Sequence, residues 1–257
     1  MKYEIVFFDV DGTLINYEDG CVEESTKQAI ELLLDKGIHL VAATGRPLSM
    51  CHELKKLGIE TFITANGAYV KHNDLVIHKT PIAKEIVQHV QAFAMEQQHS
   101  LTFFTEQLSM NGIQSPVALN AMQETLSLDK FPVINEKIVD EEIFLMCLYT
   151  DEQEEKRYAS QFPNILWQRW HPYIVNVLQQ DVCKSIAVNA VLDYFDIKPK
   201  NAIAFGDGDN DIDMLEQVGL GIAMGNGSLA LKNVADFVTK RSIEGGIDFA
   251  LRQLQII

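Results

Sequence analysis

YEIVFFDVDGT, residues 3–13, runs a short, β-rich and almost continuously apolar segment straight into two aspartates and a glycine. A half-buried strand would alternate polar and apolar positions, so an unbroken run marks a central parallel strand covered on both faces. Ligands in open α/β sheets bind at the carboxyl ends of the strands, which places Asp9 and Asp11 where chemistry is expected. Two acids two residues apart can share a cation and divide nucleophilic from acid–base work. Gly12 permits a tight turn that aims both side chains at one spot. Taken alone, the same residues also read as an aspartate-rich turn capping a helix.

The segments on either side repeat a strand–helix alternation. Residues 25–36 carry Ala29, Ile30, Leu33 and Leu34 at helical spacing, with Ser25 or Thr26 suited to the cap and Gly37 to the stop. Residues 39–43 read as a second strand, 47–57 as a helix begun by Pro47 and ended by Gly58, and 61–64 as a third strand. Short links between such elements predict βαβ units and a parallel sheet. After Pro81 the pattern changes. A helix carrying Ile86, Val87, Val90, Phe93 and Ala94 leads into a less regular stretch of strand-like and acidic segments through Trp170. From Lys184 the alternation resumes, with a helix at 185–195, a strand at 202–205, a short helix near 212–217, a strand at 221–223 and a final helix near 245–254. The fold class expected is α/β: a Rossmann-like parallel-sheet core, residues 1–81 and 184–257, with an inserted α/β domain at 82–183.

Composition sets the outer bounds. The chain has 257 residues, 47% apolar and 22% charged, ample for a buried core without staples. No apolar run approaches the ~20 residues of a membrane span, and the first dozen residues lack the pattern of a secretory signal, so a cytoplasmic location is expected. Cys21, Cys51, Cys147 and Cys183 are irregularly spaced, with no C-x-x-C pair, and read as reduced thiols. A net charge of −15 argues against nucleic acid and anionic membranes as partners. A small anionic substrate would need positive charge concentrated locally.

Three further clusters fall at predicted strand ends or helix starts. Asp207, Asp209, Asn210 and Asp211 lie in GDGDND, residues 206–211, after the strand at 202–205. With Asp213 they put four acids within seven residues, which would repel unless a cation sits among them or several face water. A calcium loop of the EF-hand type fails on detail, because Ile212 holds its glycine position and Val218 its bidentate glutamate position. With oxygen ligands alone available, Mg2+ is the better match. Thr44, Gly45 and Arg46 follow the second strand, where a hydroxyl, a flexible backbone N–H and a guanidinium could hold phosphate oxygens. Lys184 stands at a helix start; by itself it reads as a solvated lysine.

The ordered set DVDGT, TGR, Lys184 and GDGDND resembles the haloacid dehalogenase superfamily of phosphohydrolases across the whole chain. The insert between TGR and the lysine, with TANGA at 64–68 and GIAMGNG at 221–227, is similar to the Cof-like branch, which bears a large α/β cap. The resemblance implies a phosphatase of a small phosphorylated metabolite. Asp9 would be the nucleophile that forms an aspartyl-phosphate, and Asp11 the acid that protonates the leaving alcohol and then activates water. It further implies that Asp9, the Asp11 backbone carbonyl and Asp207 bind magnesium, with Asp211 supporting that shell. Thr44 and Lys184 would hold the transferred phosphoryl group with help from Asn210, and Arg46 and Asn66 would touch the substrate. The family often has glycine after the lysine; Ser185 stands there here, which puts only the local helix start in question.

Phosphoryl transfer through a loose transition state needs in-line positioning and positive charge on the equatorial oxygens, which magnesium, Lys184 and the Gly45 backbone would supply. GLGIAMGNG is not a dinucleotide fingerprint, because it follows the acidic loop rather than opening a βαβ unit, and it reads as a strand, a turn and a helix start. Phe103, Phe104, Trp167, Trp170 and His171 of the insert either select the organic part of the substrate or belong to a core. A phosphoaccepting receiver-like module also pairs Asp, Thr, Lys and magnesium, but has no use for Asp11 or for a hundred-residue insert. A phosphomutase differs only in the group that accepts the phosphoryl.

Overall fold

Strand β1 (Ile5–Asp9) is buried along its entire length, as its unbroken apolar run requires. It opens a computed structural model that describes residues 2–257; residue 1 of the expected core range lies outside the described residues. In chain order β1 is followed by α1 (Glu24–Asp35), β2 (His39–Ala43), α2 (His52–Lys55), β3 (Thr61–Thr64), β4 (Tyr69–His72) and β5 (Leu75–Lys79). Next come α3 (Lys84–Glu96), β6 (Ser100–Phe104), β7 (Leu108–Met110), α4 (Pro116–Leu126), β8 (Val133–Ile134), β9 (Leu145–Tyr149), α5 (Glu152–Gln161), β10 (Leu166–His171) and β11 (Ile174–Leu178). The last stretch holds α6 (Lys184–Phe195), β12 (Ala202–Gly206), α7 (Ile212–Gln217), β13 (Leu220–Ala223), α8 (Leu229–Val234), β14 (Phe237–Val238) and α9 (Gly246–Gln253). Two compact units result. One takes the chain up to Arg46, Cys51–His78 and Cys183–Ile257; the other takes Pro47–Met50 and Lys79–Val182.

The first unit carries a sheet ordered β14-β13-β12-β1-β2-β3-β4-β5. β1 pairs in parallel with β12 on one side and β2 on the other, with Phe8 beside Phe205 and Asp9 beside Ala43. From β1 the chain steps outward through β2 and β3, and from β12 it steps outward the other way through β13 and β14. The direction reverses between β1 and β12, and the loops leaving β1, β2 and β12 open at that crevice. One face of the sheet packs Ile5, Phe7, Val41 and Ile63 against Ala187, Val188, Val191 and Leu192 of α6. The pleat turns Val6 and Phe8 to the opposite face.

The parallel core matches the sequence reading, and the departures have local causes. The edge is antiparallel: β4 folds back on β3, and Asn73, at φ 51°, takes a left-handed turn into β5. The helix expected at 47–57 is broken into a 3-10 turn, Leu48–Met50, and the four-residue α2. α1 begins one residue before Ser25, with Glu23 at its cap position, so neither Ser25 nor Thr26 caps it. Gly37 does follow its end at φ 71°. α8 follows the helix start read at the end of GLGIAMGNG, and β14 was not anticipated.

The second unit carries a sheet ordered β10-β11-β9-β6-β7-β8. Leu101, Phe103, Met146, Leu148, Val175 and Val177 face α3 and Tyr158 of α5 in one apolar core, with Trp167 packed against it. Phe103 and Trp167 are therefore core residues, and Phe104 is also buried. The opposite face carries Thr102, Cys147 and Asn176 side by side across three strands. There Trp170 donates its indole N–H to Asn176 Oδ1 at 2.9 Å, while His171 bonds Glu124 of α4. Among the described residues no helix is long and apolar enough to cross a membrane.

Candidate active site

The carboxyl ends of β1, β2 and β12 bring Asp9, Thr44 and Asp207 to one edge of the sheet, and the N-terminus of α6 delivers Lys184 to it. Lys184 is 1% exposed. Its ammonium donates to Asp9 Oδ1 at 2.7 Å, to the Ala43 carbonyl at 3.0 Å and to Asp211 Oδ1 at 2.5 Å. An ammonium has three protons, so every one has an acceptor within the protein. Asp211 is fully buried; its Oδ2 accepts the backbone N–H groups of Asp207 and Gly208, both at 3.0 Å. It holds the acidic loop in place from inside. The N–H of Ser185 donates to Asp213 Oδ2 at 2.8 Å, and α6 starts at Lys184 with serine where the related pattern often has glycine.

Carboxylate oxygens of Asp9, Asp207 and Asp211 lie within 4.8 Å of one another. Burial raises the Asp9 carboxyl well above its ordinary range; Asp211 and Asp207 add to the rise, and Lys184 opposes it without cancelling it. The Asp207 carboxyl is pushed up to about 7, again by burial first and then by Asp211. Burial alone would lower the Lys184 pKa, but Asp211 and Asp9 outweigh it and hold the ammonium above its usual value. Three acids thus share one buried lysine, and the excess negative charge fits a divalent cation held by hard oxygen ligands. The Asp11 carboxylate is not part of this trio. It bonds Arg46, whose Nε meets Oδ2 at 2.9 Å and whose Nη2 meets Oδ1.

The remaining expected residues gather around the β2 loop. Thr44 is buried, and its hydroxyl accepts the Arg46 backbone N–H at 3.1 Å, which leaves its own proton free to donate. Asn66 sits left-handed at φ 55°, with its N–H on the Thr44 carbonyl at 3.1 Å. Its Oδ1 accepts from Asn210 Nδ2 at 3.4 Å and lies 3.1 Å from where a Cβ on Gly45 would stand, so Gly45 keeps room for that amide. Gly12 is required on two counts: its φ is 83°, and a Cβ there would come within 2.1 Å of Asp207 Oδ2.

Two contributors were missed from sequence. Tyr17 donates its hydroxyl to the Asp11 carbonyl at 2.9 Å, and burial together with the charge of nearby Asp207 raises its pKa. Asn226 donates to the Gly12 carbonyl at 2.8 Å and to Asp207 Oδ2 at 3.1 Å, and its Oδ1 accepts the Ser242 N–H at 2.9 Å. Asn226 lies in GIAMGNG, a stretch that carries part of the resemblance without giving Asn226 a role; a polar side chain between two glycines is the signal it offers. Nothing local marks Tyr17.

A sequence profile of the haloacid dehalogenase-like hydrolases matches residues 6–251. The chain belongs to that family. Among relatives of this hydrolase, YkrA of Bacillus subtilis (strain 168) is 34% identical over 260 residues covering 100% of both chains. The 5-amino-6-(5-phospho-D-ribitylamino)uracil phosphatase YitU of the same organism is 26% identical over 98% of this chain and 97% of its own. Among solved structures, the HAD subclass IIB sugar phosphatase BT4131 superposes with a TM-score of 0.85 at 31% identity, over 99% of this chain and 100% of its own. The HAD-like hydrolase described here is a phosphoric monoester hydrolase of the Cof-like branch, acting on small phosphate substrates.

Proposed function

We propose that this hydrolase cleaves a small phosphate monoester, a sugar phosphate, a cofactor phosphate or a nucleotide, in a magnesium-dependent reaction through an aspartyl-phosphate on Asp9. The observation that carries this reading is the setting of Asp9 at the end of β1, with Oδ1 tied to a buried lysine and two further acids beside it. Asp9 attacks phosphorus while the bond from phosphorus to the alcohol oxygen breaks, and Asp11 gives the departing oxygen its proton. Asp11 then takes a proton from a water whose oxygen attacks the phosphoryl group, and the bond to Asp9 breaks. Thr44 and Asn210 are donors for the phosphoryl oxygens. Lys184, with its three protons engaged, serves as fixed positive charge behind Asp9. Asp9, Asp207 and the Asp11 carbonyl are the proposed magnesium ligands, with Asp211 bracing the loop. Bound there, the ion would neutralise charge on a phosphoryl oxygen and on Asp9.

In this reading residues 1–81 and 184–257 form the catalytic core and 82–183 the cap, which excludes water and selects the alcohol. The names of BT4131 and YitU support a compact phosphorylated metabolite as substrate. Neither nucleic acid nor a membrane is a partner, and the place of action is the cytoplasm. Phosphate release over a broad panel of sugar phosphates, cofactor phosphates and nucleotides, with magnesium, tests this. At least one class should be turned over; no release from any member would overturn it. A mutase or a receiver-like phosphoacceptor would instead show transfer to a sugar hydroxyl or a phosphoenzyme lasting minutes.

A further inference from the structure

We infer that Arg46 is a positioning residue for Asp11, a role that rests on Asp11 being the acid–base group of the proposed reaction. The Asp11 side chain is 34% exposed on the loop after β1, and both of its oxygens are taken by the Arg46 guanidinium. A planar fork facing a carboxylate fixes its direction as well as its place, which a lysine in the same position would not do. Arg46 is itself fixed. Its side chain is 18% exposed, its N–H is on Thr44 Oγ1, and its carbonyl accepts the Ala65 N–H at 3.2 Å.

The two partners leave adjacent strands from one rung, since Asp9 is paired with Ala43, and Asp11 and Arg46 follow two and three residues beyond them. The orientation of Asp11 is therefore inherited from the β1–β2 ladder through the guanidinium. Asp11 engages Nε and one Nη2 proton of the five guanidinium N–H groups, so a contact between Arg46 and the phosphate, as the resemblance implied, would fall to the remaining ones.

The two chemical steps depend on Asp11 differently. A basic alkoxide needs the Asp11 proton to leave, whereas p-nitrophenolate leaves unaided. Hydrolysis of the aspartyl-phosphate needs Asp11 to accept a proton from water whatever the substrate was. Displacing Asp11 should therefore spare only the first step, and only for the aryl ester.

The test is rapid-mixing kinetics of Arg46→Ala with p-nitrophenyl phosphate and with an alkyl phosphate found to be turned over by the wild type. The expected result is a burst of nitrophenolate close to one per site followed by slow turnover, with alkyl phosphate turnover down on the order of 10²-fold, the scale of general acid–base catalysis. KM should not rise, and for p-nitrophenyl phosphate it should fall with kcat as the phosphoenzyme accumulates; Arg46→Lys should fall between Arg46→Ala and wild type, which also covers the case in which the alanine variant does not fold. Loss of the burst in both Arg46 variants, or a raised KM with kcat unchanged, would overturn the inference and make Arg46 a phosphate contact. Asp11→Asn separates the two levels. A burst there but not in the Arg46 variants sinks the role of Arg46 alone, whereas no burst there, with alkyl turnover kept, sinks the acid–base reading of Asp11 and the Arg46 role with it.

Discussion

Lys184 offsets part of the negative charge of the site, because it stands between two buried carboxylates. Removing one partner of a buried charge group leaves the others uncompensated, so Lys184→Ala should lose turnover and about 3–5 kcal/mol of stability, read by denaturant unfolding. Asn226 acts more quietly. It ties Asp207 to the Gly12 carbonyl, and loss of such an outer contact typically weakens metal binding by about 10–100-fold. Asn226→Ala should raise the magnesium concentration for half-maximal activity by that order while the protein stays folded. Asp9, Asp11, Thr44, Asp207 and Asp211 could be singled out in the sequence because each sits in a short motif at a strand end, whereas Lys184, alone at a helix start, was singled out only through the family resemblance. Tyr17 was not marked by its neighbours, and Asn226 showed only as a polar residue between glycines, since its role is created by a contact across 214 residues to Gly12.

The elements explain why the site is where it is. β1 sits between β12 and β2, so the loops of three neighbouring strands emerge together and α6 delivers its first residue into the same crevice. The turn after β3 is built into this arrangement. Gly67 lies at φ 104°, and a Cβ there would stand 2.3 Å from the Cys183 carbonyl, directly before Lys184. Gly67→Ala should therefore push the start of α6 outward and reduce kcat far more than a surface Gly→Ala change; an unchanged kcat would mean that this packing does not position Lys184. The parallel strands were readable because continuous apolar runs and terminal glycines have strong signatures. The broken helix at 48–55 was not, because Pro47 and Gly58 frame a helix equally well whether or not it is continuous. The β4–β5 hairpin did carry a signal in Asn73-Asp74, a turn pair between strand-like residues. α8 and β14, of six and two residues, are too short to show a period.

At the scale of the whole molecule, a net charge of −15 coexists with a phosphate site because the positive groups are placed singly, Lys184 inside the acidic cluster and Arg46 on Asp11. The excess of acids has a thermodynamic consequence. The Asp207 carboxyl has a folded pKa of about 7, above the ~3.9 of an unfolded chain, so the folded state binds more protons between those values. With a chelator present, stability should fall as pH rises from about 4 to about 7, and magnesium should reverse that loss by binding only the folded form. Melting temperatures across that range, with and without magnesium, check the sign; a chelated protein that gained stability over it would contradict the charge balance described here. The central claim is that the phosphoryl group passes through Asp9. Its most direct test is mass analysis of acid-quenched enzyme during turnover of the best panel substrate. A phosphoryl group on the peptide containing Asp9, absent from Asp9→Asn, is the expected result; turnover by Asp9→Asn at near wild-type rate, with no phosphorylated peptide in either protein, would contradict it.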